Sequence, residues 1–152
     1  GEVKRLSASF NLNTIERTRI TTKDVKGTTD YEVIILDTIG ELADLYGVST
    51  LAFVGGSLTK TGGHNFLEPV FFGKPVLFGP YVQDFQEIAE ALIMNNIGML
   101  VRDEEDLKNK IRLLLRDEAL RQELKGKAQQ LIEKEKGALE RSVTMIEELI
   151  KE

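Results

Sequence analysis

The chain has 152 residues, of which 41% are hydrophobic and 30% are charged, a balance typical of one globular domain with a sizeable core. A net charge of −5 argues against a dedicated nucleic-acid surface, while the lack of cysteine and the single histidine exclude disulfides, thiolate metal sites and multi-histidine zinc sites. No apolar run approaches the roughly 20 residues that span a bilayer and no signal peptide opens the chain, so we expect a cytosolic setting.

The first part of the chain alternates helical and strand patterns. Apolar residues at helical spacing predict a helix from Glu2 to Phe10, and we expect Gly1 to mark a boundary within a longer protein rather than a natural start. Thr14 to Thr22 is polar and rich in threonine, which predicts an edge strand, and a turn region follows over Lys23 to Asp30. The apolar run Tyr31 to Leu36 predicts a strand buried on both faces.

The segment Asp37-Thr-Ile-Gly-Glu-Leu42 comes directly after that strand. Thr38 and Glu41 have the spacing of a capping box, which predicts a helix that starts here and ends at Gly47. Glycine in a first helical turn costs about 1 kcal/mol relative to alanine, and close approach of a nucleotide to the Gly40 backbone would justify that cost. The capping box by itself also accounts for Glu41.

A glycine-rich loop follows the next predicted strand, Leu51 to Val54. It runs between the pairs Gly55-Gly56 and Gly62-Gly63 and leads to Asn65, which with Glu68 has capping-box spacing and predicts a helix to Phe72. A strand, a glycine loop and a capped helix in this order favour an anion site, because glycines allow close approach and the helix start offers unpaired N–H groups. The pattern is neither GxGxxG nor a Walker A loop.

The rest of the chain continues the alternation and ends in helix. Strands are predicted at Pro75 to Phe78 and Gly98 to Val101, with a helix from Asp84 between them. Asp103 to Glu152 is predicted to be entirely helical, with a restart at Asp117 and a break or bend at Gly137. The whole predicts one α/β domain over 1–152, a Rossmann-like open and mostly parallel sheet flanked by helices, with a helical C-terminal tail. The Asp37 segment and the glycine loop then lie at the carboxyl edge of the sheet, where such folds bind ligands.

Several sequence blocks in this region resemble those of 3-deoxy-D-manno-octulosonic acid (Kdo) transferase, a family that transfers Kdo from CMP-Kdo to a lipid A precursor. The similar blocks occur in order between about Tyr31 and Val101, and their joint occurrence is specific whereas any one alone is weak. They are Asp37-Thr-Ile-Gly-Glu-Leu42, Phe53-Val-Gly-Gly-Ser-Leu58, Gly62-Gly-His-Asn65, Leu67-Glu-Pro69 and Pro75-Val-Leu-Phe-Gly-Pro80.

This resemblance implies the C-terminal, donor-binding half of a two-domain GT-B glycosyltransferase of lipopolysaccharide biosynthesis, acting at the cytoplasmic face of the inner membrane. The donor substrate would be CMP-Kdo, and no cofactor or metal ion is expected. A Pro-Arg-His block that also contacts CMP in the family has no match here, nor have the acceptor domain, its membrane-associating surface and the acidic residue expected as general base. We therefore expect no catalytic residue in this chain, weak CMP binding and no turnover by the chain alone.

The resemblance places the nucleotide contacts on two blocks, Ile39-Gly40-Glu41 and Asn65-Phe66-Leu67-Glu68. Glu68 is the first candidate, since a carboxylate at a helix start can accept both hydroxyls of a ribose, although it could merely cap the helix. Phe66 stands where the family has proline and adds bulk at the presumed ligand edge. Possible further contacts are Gly55, Gly56, Ser57 and His64, each of which could equally be structural.

Two other functions remain open at this point. One is the donor domain of a different GT-B enzyme that uses a UDP-sugar, because that fold shares the glycine loop and helix. The other is a non-enzymatic α/β module that binds a phosphorylated ligand or a partner protein. The exact acceptor and the number of Kdo residues transferred are not encoded in any of these patterns.

Overall fold

Short parallel strands alternate with helices along most of the chain. The structure, a computed structural model, describes residues 2–20, 30–62 and 65–150, with the side chains of residues 84 and 137–150 outside that description. The chain divides into two compact units, Gly1–Leu45 and Tyr46–Glu152, and each is described by itself. That 1–152 forms one domain stays a prediction.

The first unit contains a helix and a pair of parallel strands. Helix α1 covers Glu2–Ser9, as predicted, and the chain leaves it through Asn11, whose backbone is left-handed with φ of 56°. Strand β1, Thr14–Glu16, pairs in parallel with β2, Val33–Ile35.

Two strand predictions in this unit need correction. The strand expected over Thr14 to Thr22 ends at Glu16, because Arg17–Arg19 form a 3₁₀ turn in which the Thr18 amide bonds a carboxylate instead of a neighbouring strand. Strand β2 is not buried on both faces, since the side chain of Ile34 is 47% exposed. The turn expected at Lys23 to Asp30 falls mostly on residues 21–29, which lie outside the described residues.

The second unit is built on a three-stranded parallel sheet in the order β3-β4-β5. The strands are β3, Ala52–Val54, β4, Val76–Phe78, and β5, Gly98–Leu100. Their register aligns Val54, Phe78 and Leu100, so the three carboxyl ends lie at one edge. Each strand agrees with its prediction to within a residue or two at either end.

The central strand β4 is fully buried on both sides. Its side chains alternate between two apolar clusters: Phe78 packs with Phe66, Val70 and Leu92, while Leu77 packs with Leu114 and Leu124. This two-sided burial explains why the run Pro75 to Phe78 is wholly apolar.

Helix α2, Leu42–Val48, spans the boundary between the two units. The helices described in the second unit are α3, Leu67–Phe71, α4, Gln86–Met94, α5, Glu104–Arg116, and α6, Glu118–Ile150. The carboxylates of Asp103 and Asp117 accept the amides of Asp106 and Leu120, each at 2.8 Å, which starts α5 and α6 as aspartate caps do.

The predicted fold class, an α/β structure with parallel strands flanked by helices and a helical C-terminal tail, is confirmed. Of the break or bend predicted at Gly137, the break is wrong, because α6 continues through Gly137 to Ile150. A single glycine on a long helix costs only about 1 kcal/mol and does not force an interruption. None of the helices in the described ranges has the length and hydropathy needed to cross a bilayer.

Candidate functional site

The segment from Asp37 to Glu41, hereafter the Asp37–Glu41 loop, connects β2 to α2 and is fixed at its first residue by Thr18. The Thr18 amide donates to Asp37 Oδ1 at 3.0 Å and the Thr18 hydroxyl donates to Oδ2 at 2.6 Å. Both hydrogen bonds favour the ionised form and so hold the pKa of the Asp37 carboxyl below its ordinary 3.8. The bond from the Thr18 hydroxyl has the larger effect and the bond from the Thr18 amide the smaller.

The last residue of the loop, Glu41, is held by Arg17 and Thr38. Arg17 Nη2 lies 2.9 Å from Glu41 Oε1, and the Thr38 hydroxyl donates to Oε2. The capping box predicted for Thr38 is wrong, since α2 begins only at Leu42 and the Thr38 hydroxyl bonds the Glu41 side chain rather than a backbone amide. Glu41 is therefore a half-exposed carboxylate with both oxygens already oriented.

The middle of the loop projects Ile39 and Gly40 outward. The Ile39 side chain is fully exposed, and Gly40 has a left-handed backbone with φ of +90°. A Cβ on Gly40 would meet nothing within 4 Å, so its conformation, and not crowding, is what favours glycine. Gly40 lies before α2, which means that the helix-turn cost inferred from the sequence does not apply to it.

The glycine loop after β3 closes on itself. The Thr59 amide donates to Gly56 O at 3.2 Å, and the Gly62 amide donates to Thr59 O at 3.3 Å. Gly56 has φ of +79°, and a Cβ there would collide with Gly62 O, so only glycine fits this position. Gly55, by contrast, is exposed with open space around it. Contact of either glycine with a ligand stays a prediction.

Ser57 has a structural role inside this loop. It is fully buried, donates its hydroxyl to Val54 O at 2.5 Å and accepts the Gly79 amide at 2.8 Å. These bonds join the ends of β3 and β4 within the core, which gives the Ser57 side chain a structural role, and its contact with a ligand stays a prediction. His64 and Gly63 lie outside the described residues.

Asn65 and Glu68 present polar groups at the start of α3. Asn65 Oδ1 accepts the Leu67 amide at 2.9 Å, and its Nδ2 lies 3.5 Å from Glu68 Oε1. The capping box predicted for Asn65 and Glu68 is wrong, because the N-cap of α3 is Phe66 and Asn65 instead closes the turn before the helix by accepting the Leu67 amide, while the side chains of Asn65 and Glu68 remain exposed. The helix itself is shorter than expected, covering Leu67–Phe71, and the half-buried Leu67 is its first residue.

Phe66 lies in the core and not at a ligand edge. Its side chain is fully buried and its ring centroid lies 4.9 Å from that of Phe78 and 5.3 Å from that of Phe85. The expectation that its bulk meets the ligand is wrong, because an aromatic ring at this position gains more from burial against two other rings. Only the Phe66 backbone stays a candidate contact.

Three residues near the Asp37–Glu41 loop or the start of α3 had no local sequence pattern that marked them as part of a site. Arg17 and Thr18 fell within a predicted strand, and their partners are 24 and 19 positions away along the chain. Tyr46 lies in α2, close enough to Glu68 for the charge of that carboxylate to act on its hydroxyl. Burial first, and then the negative charge of Glu68, raises the pKa of the Tyr46 hydroxyl above 10.0.

Among the residues that the structure describes, no group of three or more acidic, histidine or cysteine side chains is placed to hold a metal ion. The Asp37–Glu41 loop and the start of α3 can both form hydrogen bonds with a polar, hydroxyl-bearing ligand. At the loop the groups that form them are the Glu41 carboxylate, the neighbouring Arg17 and the exposed backbone of Gly40, and at α3 they are the Asn65 amide and the Glu68 carboxylate.

Comparison with known proteins identifies relatives of this chain. A 3-deoxy-D-manno-octulosonic acid transferase from Haemophilus influenzae is 37% identical over 116 residues, which is 76% of this chain and 27% of that protein. A bifunctional glycosyltransferase/methyltransferase from Fusobacterium nucleatum is 45% identical over 74 residues, which is 49% of this chain and 12% of that protein. No protein-family model matches.

A solved structure of a single domain is also similar to the chain. The crystal structure of the C-terminal CMP-Kdo binding domain of WaaA from Acinetobacter baumannii superposes with a TM-score of 0.75 at 29% identity, covering 86% of this chain and 66% of that chain. The chain is similar to this C-terminal domain and, over part of their length, to Kdo transferases. The GT-B expectation for its fold is thereby confirmed.

The chain spans only part of the length of the Kdo transferases that it matches. It spans about a quarter of the length of the Haemophilus influenzae enzyme that it matches. The likeness to the Kdo transferases does not by itself assign a ligand contact to any of the residues above. Those assignments remain predictions.

Proposed function

We propose that this chain is the donor-binding domain of a Kdo transferase and that it binds the CMP part of CMP-Kdo. The observation that supports this most is the likeness, over 86% of the chain, to a domain whose solved structure is described as CMP-Kdo binding. The exposed hydrogen-bonding groups of the Asp37–Glu41 loop and of Asn65 and Glu68 provide the chemistry that such a ligand needs.

In this proposal Glu68 accepts hydrogen bonds from the ribose hydroxyls. Its carboxylate is exposed, and one oxygen is only weakly engaged by Asn65 at 3.5 Å, so its acceptor capacity remains available. The Asn65 side chain holds the turn that precedes α3, which fixes the position of Glu68 on the first turn of that helix. Backbone groups of Phe66 and Leu67 lie beside this turn and complete the proposed contact.

The Asp37–Glu41 loop, in the first unit, is a further proposed contact for the nucleotide. Glu41 is oriented by two hydrogen bonds, and the Gly40 backbone beside it is exposed. The fully exposed Ile39 offers an apolar surface against which a flat base can pack. The possible contacts of Gly55, Gly56 and His64 are subsidiary to these.

For the parent protein we propose inverting transfer of Kdo from CMP-Kdo to a lipid A precursor, with CMP as the leaving group, in lipopolysaccharide biosynthesis at the cytoplasmic face of the inner membrane. This domain would hold the nucleotide, while the acceptor and the general base would come from another part of the parent. No step of the proposal uses a cofactor or a metal ion.

Titration with CMP, followed by amide chemical shifts, tests the proposal on both this chain and the full-length parent. We expect the amides of Gly40, Asn65 and Glu68 to shift with CMP and to respond much less to UDP, which is the comparator for a UDP-sugar donor domain. Glu68→Gln should weaken CMP binding about tenfold, the effect of losing hydrogen bonds to a charged acceptor.

Glu104→Gln is the matched control, because Glu104 also lies in the first turn of an exposed helix. It should leave CMP affinity unchanged. If CMP moves neither Gly40 nor Glu68 in this chain or in the parent, the proposal is wrong. Equal responses to CMP and UDP would instead favour a different donor.

A further inference from the structure

Two consecutive residues hold the two ends of the Asp37–Glu41 loop. Thr18 binds Asp37 through its amide at 3.0 Å and its hydroxyl at 2.6 Å, and Arg17 binds Glu41 through Nη2 at 2.9 Å. Both belong to the 3₁₀ turn Arg17–Arg19, so one short element anchors both ends of the loop. Arg17 and Thr18 together form a clamp on the loop.

Between the anchored ends, the Thr38 hydroxyl also donates to Glu41, whereas Ile39 and Gly40 project outward. Ile39 is fully exposed, and Gly40 has open space around its Cβ position and a left-handed backbone. Glycine populates many backbone conformations when unrestrained, so ordering this segment costs conformational entropy. Because the clamp orders the loop when the protein folds, this entropy is lost before a ligand binds.

We propose that Arg17 and Thr18 are positioning residues, which hold the Asp37–Glu41 loop in the conformation that binds the donor nucleotide. This inference rests on the proposed function. Arg17 acts through Glu41 and Thr18 acts through Asp37. Because a loop that is already ordered loses less entropy on binding, the clamp raises affinity without any contact of its own with the ligand.

A double-mutant cycle tests the path from Arg17 through Glu41. CMP affinity is measured for the wild type, Arg17→Met, Glu41→Gln and the double variant, with intact folding checked by amide shift dispersion. We expect Arg17→Met to weaken CMP binding about fivefold, the upper range for a partly exposed charge pair. In the Glu41→Gln background the same change should have little further effect, because Arg17 then has no carboxylate to hold.

Arg19 provides the matched control. It lies in the same turn, but its guanidinium is 70% exposed and pairs with Glu16 at 3.5 Å instead of with the loop. Arg19→Met should leave CMP affinity unchanged. Arg17→Lys should restore most of the affinity, since the observed pair uses only one guanidinium nitrogen and an ammonium group can replace it.

A second readout does not depend on CMP. In Arg17→Met, and in Thr18→Val for the other end, the ¹⁵N heteronuclear NOE at Ile39 and Gly40 should fall, while Arg19→Met should not change it. The inference is overturned if Arg17→Met matches Arg19→Met in both readouts, if it tightens CMP binding, or if the effects of Arg17→Met and Glu41→Gln multiply independently. If the wild type binds CMP and Arg17→Met binds it equally well, only this inference is overturned. If the wild type does not bind CMP, the proposed function is overturned as well.

Discussion

Ser57→Ala should destabilise the protein, although the hydroxyl lies in a loop that looks like a ligand site. The substitution leaves the buried Gly79 amide without its hydrogen bond at 2.8 Å and removes the donor to Val54 O at 2.5 Å. An unsatisfied buried backbone group costs about 1–3 kcal/mol, and with two affected groups we expect a loss of about 2–4 kcal/mol in the free energy of unfolding. This is a large share of the stability of a small protein.

Urea unfolding followed by circular dichroism measures this loss, provided that the slope with denaturant stays the same in both proteins. Ser9→Ala is the control, because the Ser9 hydroxyl donates to Leu6 O at 2.7 Å on an exposed helix. It should change stability by no more than about 0.5 kcal/mol. If Ser57→Ala is as mild as Ser9→Ala but lowers CMP affinity, the structural assignment is refuted and Ser57 is a ligand contact after all.

Two further predictions concern the glycine loop and the clamp. Gly56→Ala should lose about 1–3 kcal/mol of stability, because φ is +79° and the new Cβ would collide with Gly62 O, whereas Gly55→Ala, with open space, should be nearly neutral by the same urea assay. Asp37, whose pKa is lowered by Thr18, contributes stability that is present above pH 3.8 and lost as the pH falls through its folded-state pKa. Thr18→Val should move the Asp37 pKa back towards 3.8 in a ¹³C carboxyl titration, and an unchanged pKa would show that the hydroxyl is not the cause.

Local sequence patterns were sufficient for most elements of the second unit. The wholly apolar run Pro75 to Phe78 identified the central strand, which is buried in the structure. Asp117 likewise separated the two C-terminal helices. These signals work from sequence because they depend on the conformational preferences and burial of residues next to one another.

Local patterns failed where a distant partner changed what a residue does. Thr38 and Glu41 have capping-box spacing, but Arg17 and Thr38 bind the Glu41 carboxylate and α2 starts later. Thr18 was predicted to lie in a strand, but its amide and hydroxyl bind Asp37. Spacing cannot reveal the bonds that Arg17 and Thr18 make, because their partners are 24 and 19 positions away and are brought together only when β1 pairs with β2.

The sequence by itself therefore determined the α/β class, the alternation of strands and helices, and the two polar segments proposed as the site. The tertiary structure decided which residues of those segments are free to meet a ligand. It placed Ser57 and Phe66 in the core and left Asn65, Glu68 and the Asp37–Glu41 loop exposed. The physical reason is that burial is set by packing of the whole chain: a hydroxyl or a ring in a loop has the same local sequence signal whether it faces solvent or fills the space between two strands.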